Sequence, residues 1–569
     1  MNAKPRPGSM DPLLVQAFWA RLTTIVEQQA AALIRTSFTP AVSECGDLSA
    51  CVFDPRGRMI AQAVTGTPGH INSMAHCVRD MLALYPAETL RPGDVLITND
   101  PWLTSGHHYD VTVVTPVFIG PKLVAMFGSI CHTADFGGRP YGPDGVDVYE
   151  EGLEVPVLKL LDGGATNEQL LQIIRANVRS PEQVLGDIFS QVAGNAVGAR
   201  QLLDFMEEAE LVTIEPLADE IIARTEKAMR AAIEALPDGT YRYMTQADGF
   251  DEPVTLSMAI RVENDHLVVD YDGTSPQVKQ AINVVMNYTE AYTTFGVKCA
   301  LAPEVPNNEG SFRAVEVHAP RGSILNCDRP APVAARHLMG HFLPGLVLAA
   351  LAPVMPDRAM AEGAAALWST NVHGRTTAGE PFSLLSFMTG GTGARAGLDG
   401  LSTTAFPSGV SGIPVEVFEN RCPLVILERA LSTDSGGPGQ LRGGLGQRLR
   451  MAAPSLSEPY RLSLFADRIH HPAPGLAGGG AGRPGDARLA DGRTLDPKRT
   501  VEIMPGDEVI LVTPGGGGLG KAEERDPVAV AEDALDGVIS PEAAERIYRV
   551  VLRANGTVDV DATTRLRSR

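Results

Sequence analysis

Apolar positions Leu14, Phe18, Leu22, Ile25 and Val26 recur at the spacing of one helical face, and Asp11-Pro12 ahead of them offers a capping carboxylate and a first-turn proline. The pattern predicts a helix from Asp11 to about Ser37, ending before Pro40, behind a disordered leader at residues 1–10. Ser43–Val64 reads as two apolar strands around the turn Asp54-Pro55-Arg56-Gly57, with Asp47 just before the first strand. A helix over Ser73–Leu84 follows, with His70 at its opening, and then a strand over Asp94–Thr98. Val111–Phe118 and Lys122–Ile130 are two alternating runs joined by a short turn at Gly120-Pro121, which is a hairpin signal.

Residues 150–236 turn helical, with a turn at Asn177–Pro181, a helix over Gly186–Met206 and an amphipathic helix over Leu217–Leu236. From Tyr241 the period drops to two. The chain then reads as strand-rich to about Gly520, with a hairpin at Asn264-Asp265 and few helices, Phe342–Ala352 being the best exception. Helical spacing returns over Val528–Asp536 and Pro541–Leu552, the second capped by Ser540. The fold class expected is α+β and multi-domain. A metal-bearing N-terminal region takes residues 11–236, a strand-rich region 237–522, and a helical tail 523–569. At roughly 150 residues per domain, the length of 569 fits two to four domains.

Composition narrows the classes. The apolar fraction is 44% and the charged fraction 20%, the balance of a globular protein. A net charge of -20 argues against nucleic acid as a partner, since phosphates would be repelled. The most apolar run, Phe342–Met355, is too short to span a bilayer and contains Pro344 and Pro353. The opening MNAKPRPGSMDP has no apolar stretch of the secretory kind. The seven cysteines are scattered with no CxxC pair, which suits reduced thiols in a cytoplasmic protein. The 58 glycines and 42 prolines predict many turns and long structured loops.

Candidate chemistry gathers around the first hairpin. His107 and Asp110 stand just before its first strand, and His132 and Asp135 follow its second. A hairpin brings those ends together, and imidazoles beside carboxylates make a divalent-metal layout. His70, His107, His108 and His132 are four of only 12 histidines and fall in one short region beside Asp47, Asp100, Asp110 and Asp135. Mixed nitrogen and oxygen donors suit zinc, manganese or iron. Asp135 could orient a ligand imidazole. The alternative is a core in which carboxylates merely satisfy the histidines.

Two glycine-rich stretches compete for attention. Gly515–Lys521 nearly matches the phosphate-cradling loop, but Ala522 stands where its hydroxyl should be and an acidic, proline-containing segment follows, so no nucleotide is expected there. Asp434–Gly446 is either an anion-binding loop, with Arg442 inside it, or a turn-rich connection. No G-x-S-x-G elbow and no cysteine-nucleophile signature occurs.

Several segments together resemble one family. NDPWLTSGHHYDVTVVTPVF, CHTADFGG, YEEGLEVPVLKL, YDGTSPQVKQAIN, PNNEGSFRAVEVHAPRGSILN, IPVEVFE and DSGGPGQLRGGLGQ are similar to the hydantoinase B/oxoprolinase family, over nearly the whole chain. That family includes B subunits of ATP-dependent N-methylhydantoinases and caprolactamase, part of 5-oxoprolinase, and large subunits of acetone and acetophenone carboxylases. The resemblance implies an ATPase partner, the hydantoinase A subunit, which binds ATP and magnesium and phosphorylates the substrate. It implies a divalent metal in this chain held by Asp47, His107, Asp110 and His132, with Asp135 or His70 moving a proton or orienting a ligand. Many members read G-G-T-H-x-P-D where this chain has Thr104 to Asp110. His107 and Asp110 match, while His108 and Tyr109 depart and bear on the substrate pocket. The expected function is the B subunit of an ATP-dependent cyclic-amide hydrolase, with two copies of each chain in the assembly. A ketone-carboxylase subunit and a non-catalytic, metal-stabilised scaffold are the alternatives.

Overall fold

A computed structural model describes residues 10–64 and 66–568. The leader expected at residues 1–10 lies outside them apart from Met10, which packs on the first apolar cluster. The first helix spans Pro12–Thr36, and the Asp11 carboxylate accepts the Leu13 amide at 2.8 Å, as its capping position requires.

The N-terminal region is built on a seven-stranded sheet. Its strands are β1 (Leu48–Phe53), β2 (Met59–Gln62), β3 (Val95–Thr98), β4 (Asp110–Ile119), β5 (Lys122–His132), β6 (Leu158–Asp162) and β7 (Ala165–Thr166), in the order β2-β1-β5-β4-β3-β6-β7. Helices cover both faces. Ala50, Val52 and Phe127 meet helix Pro12–Thr36 and helix Pro181–Glu208, while Cys51, Phe53 and Met126 meet helix Pro68–Leu84. Alternating side chains are therefore buried on either side, which is why β1 is apolar throughout.

A second sheet has β8 (Gly239–Ala247), β9 (Val254–Glu263), β10 (His266–Asp270) and β11 (Val315–His318), in the order β11-β10-β9-β8. The hairpin expected at Asn264-Asp265 joins β9 to β10, with Asn264 at φ 56°. The C-terminal strands form two further sheets. One has β12 (Trp368–Arg375), β13 (Pro381–Met388), β16 (Tyr460–Phe465) and β18 (Thr500–Ile503). The other has β14 (Val425–Leu431), β15 (Gln447–Ala452), β17 (Asp486–Leu489) and β19 (Glu508–Val512). One apolar core, including Trp368, Val372, Leu449, Leu462 and Leu511, serves both.

Helix Met286–Leu301 lies in the stretch read as strand-rich. It is buried nearly all round, so its apolar residues show no one-sided period, and its Thr, Tyr and Val content mimics a strand. The largest core joins Tyr109, Tyr141, Val148 and Met229 to side chains from 247 to 351, so residues on both sides of position 237 share one interior. The tail holds helices Pro527–Leu535, Pro541–Arg546 and Val560–Arg567. Ser540 caps the second through the Ala543 amide at 3.1 Å. Arg525 bridges Asp399 and Asp533 and ties the tail to the body.

Candidate metal centre

The centre grows out of the hairpin. In the β4–β5 pairing Asp110 faces His132, so the first residue of one strand meets the last of the other. A three-residue step sets His107 on the same point. Asp47 arrives because β1 pairs with β5, where Leu48 faces Cys131 and the His132 amide donates to the Asp47 carbonyl at 3.2 Å. His70 arrives from the first turn of helix Pro68–Leu84, which begins five residues before the predicted Ser73 start.

Asp110 is the hub. Its Oδ1 lies 2.8 Å from His107 Nε2 and 3.3 Å from His132 Nδ1. Its Oδ2 lies 3.0 Å from His70 Nε2 and accepts from Ser105 Oγ and Arg336 Nη2, both at 2.5 Å. One ligand atom each from His107, Asp110 and His132 falls within 4.8 Å of the others. Asp47 stands at the edge, with Oδ2 4.0 Å from His132 Nδ1 and Oδ1 3.8 Å from His70 Nε2, and it accepts the Thr67 hydroxyl at 3.2 Å.

Electrostatics sort these groups. Burial alone would raise the Asp110 carboxyl, but His107, His70 and Arg336 hold it well below the usual carboxylate range. Burial and the Arg336 guanidinium hold the His107 imidazole well below its ordinary value, so it is neutral and has a lone pair to offer. Burial pulls His70 the same way, yet Asp110 and Asp47 outweigh it and raise His70, which therefore keeps a proton facing two carboxylates.

The donor set fits a divalent cation. His107 Nε2 is buried and, among the described residues, has no hydrogen-bond partner although Asp110 Oδ1 is 2.8 Å away, because the ring nitrogen is poorly aimed at it. A lone pair turned toward a point shared with a carboxylate and a second imidazole is the arrangement a cation satisfies. On the far side, His107 Nδ1 lies 3.2 Å from the Ala334 carbonyl and 3.1 Å from Arg336 Nη1. Only the tautomer that donates to Ala334 leaves Nε2 free to ligate. The adjoining cavity, about 30 Å³, is roomy enough to hold a water.

The cavity is completed by residues that local reading missed. Arg336, His337 and His341 come from the segment after the second sheet, and Tyr141, Tyr288 and Ser369 line the remaining walls. Burial and Arg336 push His337 down to about 3. The Tyr292 hydroxyl meets His341 Nε2 at 3.0 Å. A signal existed in His337-x-x-x-His341, a spacing that sets two imidazoles on one helical face.

Other candidate residues go elsewhere. Asp135 turns away from the cluster and pairs with Arg179, whose Nη1 lies 2.6 Å from its Oδ1. That pair anchors the turn after β5, and among the described residues Asp135 makes no hydrogen bond or ion pair with His107, Asp110 or His132, the contact that a proton carrier or ligand orienter would need. His108 points to Glu154, 3.4 Å away, and not to the centre. Tyr109, its neighbour, is buried and stacks on His132 with ring centroids 5.7 Å apart.

The glycine stretches are structural. Gly516, Gly517 and Gly518 donate their amides to Gly444, Glu362 and Gly480 carbonyls at 3.0, 2.8 and 2.9 Å, so none is left for a phosphate. In the Asp434–Gly446 loop, Gly437 donates to Gly516 and Gly444 to Thr392, while Arg442 is buried against Asp533. The turn-rich reading of that loop holds. Lys521 is exposed, and Lys521→Ala should leave folding and ATP turnover of any complex essentially unchanged. A near-total loss of turnover in a folded variant would restore the phosphate-loop reading.

A family model described as Hydantoinase B/oxoprolinase matches residues 11–522. The chain belongs to the hydantoinase B/oxoprolinase family. It is 31% identical over 573 residues to an uncharacterised protein of Methanocaldococcus jannaschii, covering 98% of this chain and 100% of that one. It is 29% identical to the B subunit of a putative D-/L-hydantoinase from a Pseudomonas strain, over 98% of both chains. Its fold matches the crystal structure of the ATP-dependent caprolactamase of Pseudomonas jessenii with a TM-score of 0.90 at 26% identity, over 98% of this chain and 100% of that one. The α+β class expected of a hydantoinase B chain is the one observed. No helix among the described residues is long and apolar enough to cross a membrane.

One buried acid behind the centre carries a pH prediction. Glu151 Oε1 accepts the Val333 and Ala334 amides at 2.8 Å each, and so holds the peptide whose carbonyl faces His107. Its Oε2 is buried without a partner among the described residues, and burial pushes the carboxyl up to about 8. A folded pKa above the unfolded one means that the stabilising proton is fully present below the unfolded value and lost as pH rises through about 8. Metal-free wild type should therefore lose stability relative to Glu151→Gln between about pH 5 and pH 9. Denaturant unfolding at both ends of that range checks it, and a constant difference would mean that Glu151 is ionised throughout.

Proposed function

We propose that this chain is the metal-bearing B subunit of an ATP-dependent cyclic-amide hydrolase that works with a hydantoinase-A-like ATPase subunit. The observation that carries the reading is the buried donor set of His107, Asp110 and His132 around one point, with His107 Nε2 unpartnered. Asp47 stands close enough to complete it, with Oδ2 4.0 Å from His132 Nδ1. A divalent cation held there, zinc, manganese or iron by donor chemistry, would supply Lewis acidity toward water and an amide carbonyl.

The chain's own residues supply the rest. Asp110 stays ionised because three cationic or imidazole groups surround it. His107 offers a neutral ring, locked by the Ala334 carbonyl. His70 Nε2 keeps a proton between Asp110 and Asp47 and can deliver it to a leaving nitrogen. Arg336 fixes Asp110 and adds positive charge to a buried cavity, where charge developing on a carbonyl oxygen is strongly stabilised. Tyr141, Tyr288 and Leu367 in the cavity wall shield it from bulk water.

Activation by ATP falls to a partner. The one near-match to a phosphate loop is buried glycine packing, and two relatives of this chain carry names that make them the B and beta subunits of their enzymes. A resonance-stabilised lactam or hydantoin opens slowly without such activation. A closed assembly with two copies of each chain is the arrangement expected. The test is to purify this chain with and without a hydantoinase-A-like ATPase, and to assay ATP-dependent ring opening on a panel of lactams, hydantoins and ketones. Activity on a cyclic amide should need both chains, and His107→Ala should lose both the metal and the activity. Full activity from this chain alone, or unchanged metal content in His107→Ala, would overturn the proposal.

A further inference from the structure

On the other side of one thin wall from the metal cavity lies a second, larger pocket of about 640 Å³. Thr389, Thr403, Thr404, Ser411, Gln447 and Arg429 line it, and Val410 lines both spaces. The wall is the segment from Ser408 to Gly412. It is held against the centre by the Ser411 amide, which donates to the Cys45 carbonyl at 2.7 Å, two residues before Asp47.

The pocket's chemistry is unusual for this chain. The protein carries 68 acidic against 48 basic residues, yet among the described residues no carboxylate lines the pocket and a guanidinium does. Among the described residues Arg429 has no ion pair. It donates from Nη1 to the Ile413 carbonyl at 2.9 Å and from Nε to Gln447 Oε1 at 3.4 Å, which leaves Nη2 free. Gly412 makes room for that nitrogen, since a Cβ there would stand 2.5 Å from Nη2. An uncompensated guanidinium held by two neutral acceptors, ringed by hydroxyls and free of carboxylates, is built for an oxyanion. Several donors around one cation favour the three acceptor oxygens of a phosphoryl group over the two of a carboxylate.

We infer that this pocket is a phosphoryl-binding antechamber of the metal cavity, with Arg429 as its anion-binding residue and the Ser408–Gly412 segment as the partition. The inference deepens the proposed function, because a phosphorylated small molecule delivered from elsewhere would be held here next to the metal cavity, across the Ser408–Gly412 segment. Its own claim, that phosphate binds at Arg429, stands apart from the metal.

Isothermal titration of the full chain with inorganic phosphate, at constant ionic strength in chloride, tests it. Wild type should show saturable binding, with acetate clearly weaker. Arg429→Gln should weaken phosphate roughly tenfold or more, the scale of a lost charge-assisted contact. Gly412→Ala should weaken it by less, through displacement of the guanidinium. Arg429 is exposed, so Arg429→Gln should fold and keep its metal content, both of which are measured. His107→Ala should bind phosphate like wild type, which separates this pocket from the cavity beyond it. Wild-type phosphate affinity in Arg429→Gln, equal affinity for acetate, or loss of phosphate binding in His107→Ala would overturn the inference. Retained metal in His107→Ala with phosphate binding intact would overturn the proposed function and leave the antechamber standing.

Discussion

Asp110→Asn is expected to cost about 3–5 kcal/mol of folding stability in metal-free protein, the range measured when one partner of a buried charge pair is removed. The reason is the number of charges that Asp110 neutralises. Arg336 Nη2, His70 Nε2 and the Ser105 hydroxyl all meet its Oδ2, and the Arg336 side chain is only 6% exposed. Asparagine keeps the shape and removes the charge, leaving the buried Arg336 guanidinium without its carboxylate and His70 with Asp47 alone, 3.8 Å away. Denaturant unfolding after chelation measures the effect without any metal contribution. A second substitution at the partner sharpens the reading: Asp110→Asn with Arg336→Met should recover part of the loss, because the orphaned charge goes with it. Asp110→Asn as stable as wild type would mean that the hub is already neutral in the folded protein.

Gly516→Ala should be as damaging, although it removes nothing. A Cβ on Gly516 would stand 1.9 Å from the Thr392 carbonyl oxygen and 2.7 Å from the Gly393 amide. Those are backbone atoms, and Gly516 is itself tied by its amide to Gly444 and by its carbonyl to Gly437. Neither side can yield without breaking other hydrogen bonds, so the cost should exceed the roughly 1–3 kcal/mol usual for overpacked cores. Gly345→Ala is the contrast. Gly345 lies in helix Leu343–Leu351 with nothing within 4 Å of where an alanine methyl would stand, and alanine there should be neutral or stabilising by about 0.5–1 kcal/mol. Thermal unfolding of both variants checks the pair. Similar melting temperatures would contradict the interlocked packing of the glycine segments.

Much of the fold was legible because it follows from local rules. The Asp11 cap, the turn at Asp54–Gly57, the hairpin around Gly120 and the amphipathic face of helix Glu215–Glu234 each depend on residues a few positions apart. The hairpin also settled half of the site, because antiparallel pairing of β4 with β5 must return His132 to Asp110 once the turn is short. The family motifs extended that reading to Asp47. Helix Met286–Leu301 escaped because burial on all sides erases the period on which such a reading depends.

The sequence by itself therefore determined the helices and strands with one-sided burial, and the meeting of His107, Asp110 and His132 at the hairpin's open end. Tertiary structure alone decided what surrounds them. Arg336 reaches Asp110 across 226 positions of chain, and that charge, with His70, sets the ionisation of the hub. Asp135 had the residue type and the place in the chain for a part at the centre, yet Arg179, 44 positions on, claims its carboxylate. The glycines around Gly516 carry no side chain to announce a partner, so only the packed structure shows that their amides are spent on one another. Local pattern reports on hydrogen bonding and facing within an element. The charge state of a buried carboxylate and the availability of a backbone amide depend on groups brought from far along the chain.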